Sequence, residues 1–380
     1  MVEKNSKRRS SSSKNDQSNS TTTTTNNLTV LVLDVSPVVW GDRDMKRTVS
    51  DKQRAAQNKR SVGPATLPEL ISAVEAFCSA VVSLERTAAI LILAVAGNQV
   101  AVVYPRKDQL EQYFSNPDRL LDSQRIPQDL RTGIAELVAA AAAKETSSSS
   151  NNDNNNSKAV MASGFSMALC LINRFLVQAN AGVSALKTDG GWNRLNADDE
   201  GVIGAIGAGG KKKSKTNKPS AWSPRILLIQ ASDDISSHYN AMMNCAFAAV
   251  KNQVVVDGCF IPELGGNGAK SSSAFLEQTC DLTGGVFLAP SGAAQANKAL
   301  SEVMLSVFLP GSKGCRSSLN LPAINKVDFR ARSFDTGESV DIAFVCNQCL
   351  SIFQQKPQRH CPTCDAEIRH PRKRQQQLQA

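Results

Sequence analysis

The sequence holds little of what usually carries catalysis or base stacking. Its 380 residues include three histidines, three tyrosines and three tryptophans, and aromatic residues make up only 5%. Long hydrophobic runs are also missing. The longest strongly apolar stretch, Ala88 to Ala96, is about half of the roughly 18 residues a bilayer span requires, so no transmembrane segment is expected. The first residues, MVEKNSKRRSSSSK, lack the apolar core of a secretory signal. The ten cysteines are therefore expected in a reducing compartment and not in a disulfide framework. What is present is a 41% hydrophobic fraction, enough for one large core or two modest ones.

The chain is basic, with a formal charge of +9, but the charge is unevenly spread. Residues 1–27, 200–222 and 366–380 carry +3, +4 and +3, which together exceed the total. The rest of the chain is close to neutral, so composition assigns no basic DNA-reading face to the folded body.

Residues 1–27 are Ser/Thr/Asn/Lys-rich and cannot bury enough surface to offset the entropy of ordering. Two more stretches share that character, KETSSSSNNDNNNSK (144–158) and a Gly/Lys-rich segment around 204–219. Both read as insertions into surface loops, where closure entropy grows only logarithmically with length. With these set aside a strand and helix alternation emerges. LTVLVLDV (28–35) is a nearly continuous apolar run suited to a strand buried on both faces. A polar loop containing Trp40 to Arg60 follows. Thr66 and Glu69 then have the spacing of a capping box, ahead of apolar residues at helical intervals from Leu67 to Val81. AAILILAVA (88–96) predicts a second buried strand, and Gly97-Asn98 a tight turn into an antiparallel strand at 99–105. Helices are expected at 129–143 and from Met161 to Leu176. Beyond the Lys-rich insert, strands at 225–232, 253–261 and 284–290 alternate with helices near 237–251, 274–282 and 292–308. The fold class is thus α/β: a mostly parallel doubly wound sheet, with ligands or partners favoured at the C-terminal edge of the strands. The expected organisation is a disordered tail (1–27), a folded domain (28–311) with inserts at 144–158 and about 187–222, a strand-containing connector (312–345), a four-cysteine finger (346–364) and a basic, Gln-rich tail (365–380).

The strongest local motif is Cys346-x₂-Cys349-x₁₁-Cys361-x₂-Cys364. Two Cys-x-x-Cys hooks can wrap one tetrahedral Zn²⁺, and four sulfur ligands leave no open position for water, so the site is expected to be structural. A redox pair or two disulfides are the alternatives, but redox motifs do not normally come duplicated in a short strand-rich hairpin. Four cysteines are fewer than the eight ligands of a RING domain. His360 adjoins Cys361 and competes as a ligand, with an outer or exposed place favoured. The remaining cysteines, Cys78, Cys170, Cys245, Cys259, Cys280 and Cys315, are scattered singly, most within apolar stretches, and read as buried free thiols or loop residues.

Asp34, Ser36 and Val38 end the first strand in an Asp-x-Ser-x-Val order. Metal-ion-dependent adhesion sites have Asp-x-Ser-x-Ser there, and chelate Mg²⁺ with the carboxylate and two hydroxyls. Val38 cannot replace a ligand oxygen, and Asp233, placed to help, leaves the set incomplete. The alternative is that Asp34, Ser36 and Asp233 make hydrogen bonds that shape the sheet edge. A phosphate loop fails at Ala205 and Lys212, and Asp233 with His238 lacks the nucleophile elbow of a hydrolase. Residues 211–215 and 371–374 fit nuclear import signals or solubilising charge.

The order of these features resembles the small von Willebrand factor A-like core subunits of general transcription factor IIH. LVLDVSPVVWGD (31–42), RILLIQASDD (225–234), FLEQTCDLTGGVFL (275–288), LPAINKVDFRA (321–331) and VCNQCLSIF (345–353) carry the resemblance. It implies a von Willebrand factor A-like sheet followed by a zinc module with one structural Zn²⁺ on Cys346, Cys349, Cys361 and Cys364. It also implies a non-enzymatic nuclear scaffold, joined to a larger von Willebrand-like subunit through that partner's RING-like domain and to other core subunits, serving RNA polymerase II initiation and nucleotide excision repair. Contact with DNA would be indirect, through the complex, and no membrane is involved. The alternative function is a zinc-dependent nucleic-acid-binding protein, which would need more basic and aromatic residues around the cysteines than Phe353, Lys356 and Arg359.

Overall fold

The computed structural model describes residues 26–57, 64–85, 88–115, 124–147, 159–185, 222–263, 272–290, 298–311 and most of 315–368. The basic clusters at 211–215 and 371–374, and most of the three low-complexity stretches, lie outside these residues.

The first apolar run forms β1 (Asn26–Asp34), buried from Leu28 onward. It lies at the centre of a six-stranded sheet, parallel on one side to β2 (Ala89–Ala96) and on the other to β4 (Trp222–Gln230). β5 (Val255–Phe260) and the two-residue β6 (Phe287–Leu288) continue in parallel beyond β4. β3 (Gln99–Tyr104) returns antiparallel along β2 through the turn at Gly97, whose φ of 55° favours glycine. The resulting order, β3-β2-β1-β4-β5-β6, is that of a von Willebrand factor A-like doubly wound α/β domain.

Parallel strands must be covered on both faces. One face is packed by α2 (Leu67–Leu84), α4 (Arg125–Ser147), α8 (Lys298–Val303) and the π-helical turn Met304–Phe308 that extends α8. The other carries α3 (Leu110–Ser115), α5 (Met161–Ala185), α6 (Tyr239–Lys251) and α7 (Ala274–Thr283). α2 starts as its motif predicts, with the Glu69 carboxylate accepting the Thr66 N–H at 3.0 Å. Gly164 lets α5 lie close on the sheet, since a Cβ there would sit 2.5 Å from Val95 Cγ2 and 2.7 Å from Val32 Cγ1. By length and composition α2 and the Met161–Ala179 part of α5 could each cross a bilayer. Here their apolar faces lie in the core.

The stretch from Trp40, expected as a polar loop, is instead mostly helical: α1 spans Pro37–Gln57. Its inward positions are Trp40, Arg43 and the half-buried Arg47, which pairs with Glu69 at 2.9 Å. A helix that faces the core with arginines has no apolar period to read. α4 likewise runs on through Ser147, into the Ser/Asn-rich segment.

After Gly311 the chain forms short strand pairs, β7 (Ala331–Arg332) with β8 (Ser339–Val340) and β9 (Phe344–Val345) with β10 (Ile352–Phe353). Before them, Arg316 reaches back into the sheet domain. Its guanidinium grips the fully buried Asp257 of β5 with two bonds of 2.8 and 2.6 Å, while Arg225 of β4 lies 3.8 Å from the same carboxylate. The Pro310 carbonyl accepts from both arginines, at 2.7 Å from Arg316 and 3.3 Å from Arg225.

Removing one partner of a buried ion pair leaves the other charge uncompensated, at a cost of about 3–5 kcal/mol. Asp257→Ala, which strands two arginines, is therefore expected to destabilise the sheet domain by that amount in urea unfolding of the full chain. Arg316→Ala, which leaves Arg225 near the carboxylate, should cost less. An unfolding midpoint unchanged by Asp257→Ala would contradict this account of the cluster.

Candidate functional site

Two hydrogen-bonded hooks bring the four cysteines of the C-terminal motif together. In the first, the Leu350 N–H bonds the Cys346 carbonyl (3.0 Å) and the Cys346 N–H bonds the Ser351 carbonyl (2.9 Å). The second repeats this with Asp365 on Cys361 (2.9 Å) and Cys361 on Ala366 (2.9 Å). Each hook turns through one residue of positive φ directly after its second cysteine, Leu350 at 60° and Asp365 at 57°. Leucine is costly in that region, so the closed hook must hold it there. Phe353 and the half-buried Phe334 and Ala366 form a small apolar bed beneath the cluster.

All four sulfurs lie within 4.8 Å of one another. Cys346 and Cys364 are 3.8 Å apart and Cys349 and Cys361 are 3.6 Å apart. Tetrahedral ligands on metal–sulfur bonds of about 2.3 Å would be separated by about 3.8 Å. The set can therefore hold one metal ion, with no fifth protein ligand in the group. Its electrostatics favour thiolate on one side. A hydrogen bond with Ser351 is the main cause that draws Cys349 down to about 6, and the Cys349 and Gln348 amides lower Cys346. Cys364, although the Ala366 N–H favours its thiolate, is pushed up to about 12 by sharing protons with the neighbouring sulfurs. Four thiols this close cannot all ionise without a cation between them. His360 is exposed, stands outside the group of four, and pairs its backbone with Glu367.

The other cysteines do not gather into a site. Burial raises Cys78 and Cys259 to about 12 and pushes Cys280 well above the ordinary thiol value, which makes them poor nucleophiles. Cys245 is half-buried and raised for the same reason, and Cys170 and Cys315 are exposed.

At the C-terminal edge of the sheet, Asp34 is fully buried and spends its carboxylate on backbone amides. Oδ1 accepts from Ser36 N (3.1 Å), and Oδ2 from Ala231 N (3.0 Å) and Ser232 N (2.6 Å). Val38 is 41% exposed. Ser36 Oγ is buried without a hydrogen bond, one oxygen where Mg²⁺ takes six ligands. The residues present do not fit the adhesion-type ion. Asp233 is half-buried at this edge, but its neighbour Asp234 makes the inward contacts, accepting from Gln230 Nε2 (3.0 Å), Ser273 Oγ (2.5 Å) and Phe275 N (3.3 Å). His238 ends a 3₁₀ turn before α6, and partial burial lowers its pKa. The residue missed in the sequence is Arg43, 2% exposed, whose guanidinium donates to the carbonyls of Ala231 (3.0 Å), Ile261 (2.6 Å) and Pro262 (3.4 Å). Only an inward helical position would have exposed it, and the helix itself was not legible.

Against known proteins, the family described as Transcription factor Tfb4 matches residues 26–365. General transcription factor IIH subunit 3 of Dictyostelium discoideum is 38% identical over 145 residues, which cover 38% of this chain and 36% of that protein. The subunit TFB4 of general transcription and DNA repair factor IIH from Yarrowia lipolytica is 39% identical over 144 residues, 37% of this chain and 40% of that protein. The matched stretch is thus well under half the length of each relative. Among solved structures, the N-terminal domain of TFIIH p34 superposes with a TM-score of 0.47 at 17% identity, covering 75% of this chain and 98% of that one. Because the family match begins in β1 and runs through all four clustered cysteines, the chain belongs to the Tfb4 transcription factor family.

Proposed function

We propose that this chain is a subunit of general transcription and DNA repair factor IIH, acting in the nucleus as a non-catalytic scaffold for RNA polymerase II initiation and nucleotide excision repair. The observation that carries this reading is the family match across both the sheet domain and the cysteine cluster. The relatives' names describe subunits and no enzyme activity.

In this reading Cys346, Cys349, Cys361 and Cys364 ligate one structural Zn²⁺. Four soft thiolates at tetrahedral spacing suit that ion and close its coordination. The scaffold's main partner is the larger von Willebrand-like subunit, docked through its RING-like domain. Exposed apolar side chains on two adjacent helices, Met167 and Val177 of α5 and Phe247 and Val250 of α6, are available for such a contact. An interface of ordinary stability would bury on the order of 1,600 Å² and survive moderate salt.

Metal analysis of the chain purified under reducing conditions should return about one zinc. Cys349→Ser or Cys361→Ser should lose the metal and unfold the C-terminal module, since structural zinc supplies an apparent ~10–16 kcal/mol to folding. The main cooperative transition of the sheet domain should persist, and zinc-free protein with an intact module would sink the assignment.

Co-expression with the larger subunit should yield a heterodimer without ATPase or nuclease activity. Phe247→Ser with Val177→Ser should weaken it at least tenfold, whereas replacing 148–158 and 204–219 by Gly/Ser segments of equal length should not. Association lost with the replaced segments but unmoved by the helix changes would overturn the reading. So would salt-dependent DNA binding by the chain alone with no heterodimer, which would favour the nucleic-acid-binding alternative.

A further inference from the structure

The sheet edge that adhesion-type relatives of this fold would give to a divalent ion holds two buried opposite charges that never touch. Asp34, at 0% exposure, takes three backbone N–H groups, and Arg43, at 2%, gives its protons to three backbone carbonyls. Ala231 belongs to both sets: its N–H donates to Asp34 Oδ2 and its carbonyl accepts from Arg43 Nη2, each at 3.0 Å. The two charges are thus joined through one residue of backbone at the end of β4. Trp40 completes the unit, with its indole N–H on the Asp34 carbonyl at 2.8 Å and its ring 5.3 Å from the Arg43 guanidinium carbon.

A carbonyl cage at the end of parallel strands is a natural cation site, and a buried guanidinium without compensation would be prohibitive. Burial lowers the Arg43 pKa, while Asp34, then Glu263 and Asp233, oppose that effect. Glu263 is itself engaged by Lys46.

We propose that Arg43 is the resident cation of this sheet edge: its guanidinium, coupled to Asp34 through Ala231, takes over the charge-balancing role of the adhesion-type ion and closes the edge to metal-borne carboxylate ligands. The proposal is independent of the assignment to factor IIH. It makes the edge a permanently ordered surface with no metal-dependent state. Any partner would then have to be recognised elsewhere, or at this edge without an ion.

The test uses the full chain, with Mn²⁺ followed by its electron paramagnetic resonance signal and stability by thermal and urea unfolding. Wild type should bind no Mn²⁺ beyond that taken by Asp34→Ala, and its melting temperature should be the same in millimolar Mg²⁺ and in a chelator that spares zinc. Arg43→Met should lower the melting temperature by several degrees and Arg43→Lys by less. The double variant D34N/R43M should be less destabilised than the sum of its single changes, because each removes the charge the other balances. A purely space-filling arginine would give additive changes, and that result would overturn the proposal. Mn²⁺ bound by wild type and lost in Asp34→Ala would also overturn it. Should R43M fail to fold, R43Q, which also removes the charge, supplies the cycle with D34N, and the metal measurement on wild type stands by itself.

Discussion

A parallel sheet can exist only if both of its faces are dry, and this requirement organises the molecule. Most strands here run in parallel, and β2 is buried along its whole length. Both faces therefore need helices, and water cannot solvate a charge placed between the layers. The polar groups that remain inside must be balanced by the chain itself. Asp34 and Arg43 do so through the backbone at one edge. Asp257, Arg225 and Arg316 do so side chain to side chain, on the face that α2 and α8 cover.

The two modules solve stability by different means. The sheet domain has two extensive apolar clusters, one on each face. The C-terminal module has a bed of a few side chains beneath four sulfurs, too little core for a unit of that size. Its hooks are held by backbone hydrogen bonds and by two residues in the left-handed region. Four sulfurs that can hold one ion offer such a unit a staple, whose shape would follow from ligand geometry.

What was legible in the sequence follows the same physics. Strands buried on both faces are continuous apolar runs, so β1, β2, β4 and β5 were readable to within a few residues. The start of α2 was readable because Thr66 and Glu69 state their own hydrogen bond, and the cysteine cluster because ligand spacing is local. α1 was not, because its inward side is Trp40, Arg43 and Arg47, and such a helix looks solvent-facing until its partners are known. The short α3 and the inward role of Asp234 escaped for a similar reason, since both depend on elements far away in sequence. Asp34 and Ser36 suggested an ion, but the amides that saturate the Asp34 carboxylate come largely from the end of β4. No local pattern records that.

The arginine that crosses from the C-terminal part of the chain into the sheet domain bears on how this protein can be dissected. The π-helical turn after α8 ends at Phe308, and a fragment cut at Gly311 would keep every strand and helix of the sheet layers. It would lack Arg316, which supplies two close charged bonds to a carboxylate at 0% exposure, leaving it the Val286 N–H at 2.9 Å and the Arg225 guanidinium at 3.8 Å. The smallest piece that keeps the charges of the sheet domain in balance therefore extends past Arg316, and its energetic limit lies beyond α8 and the π-helical turn that extends it.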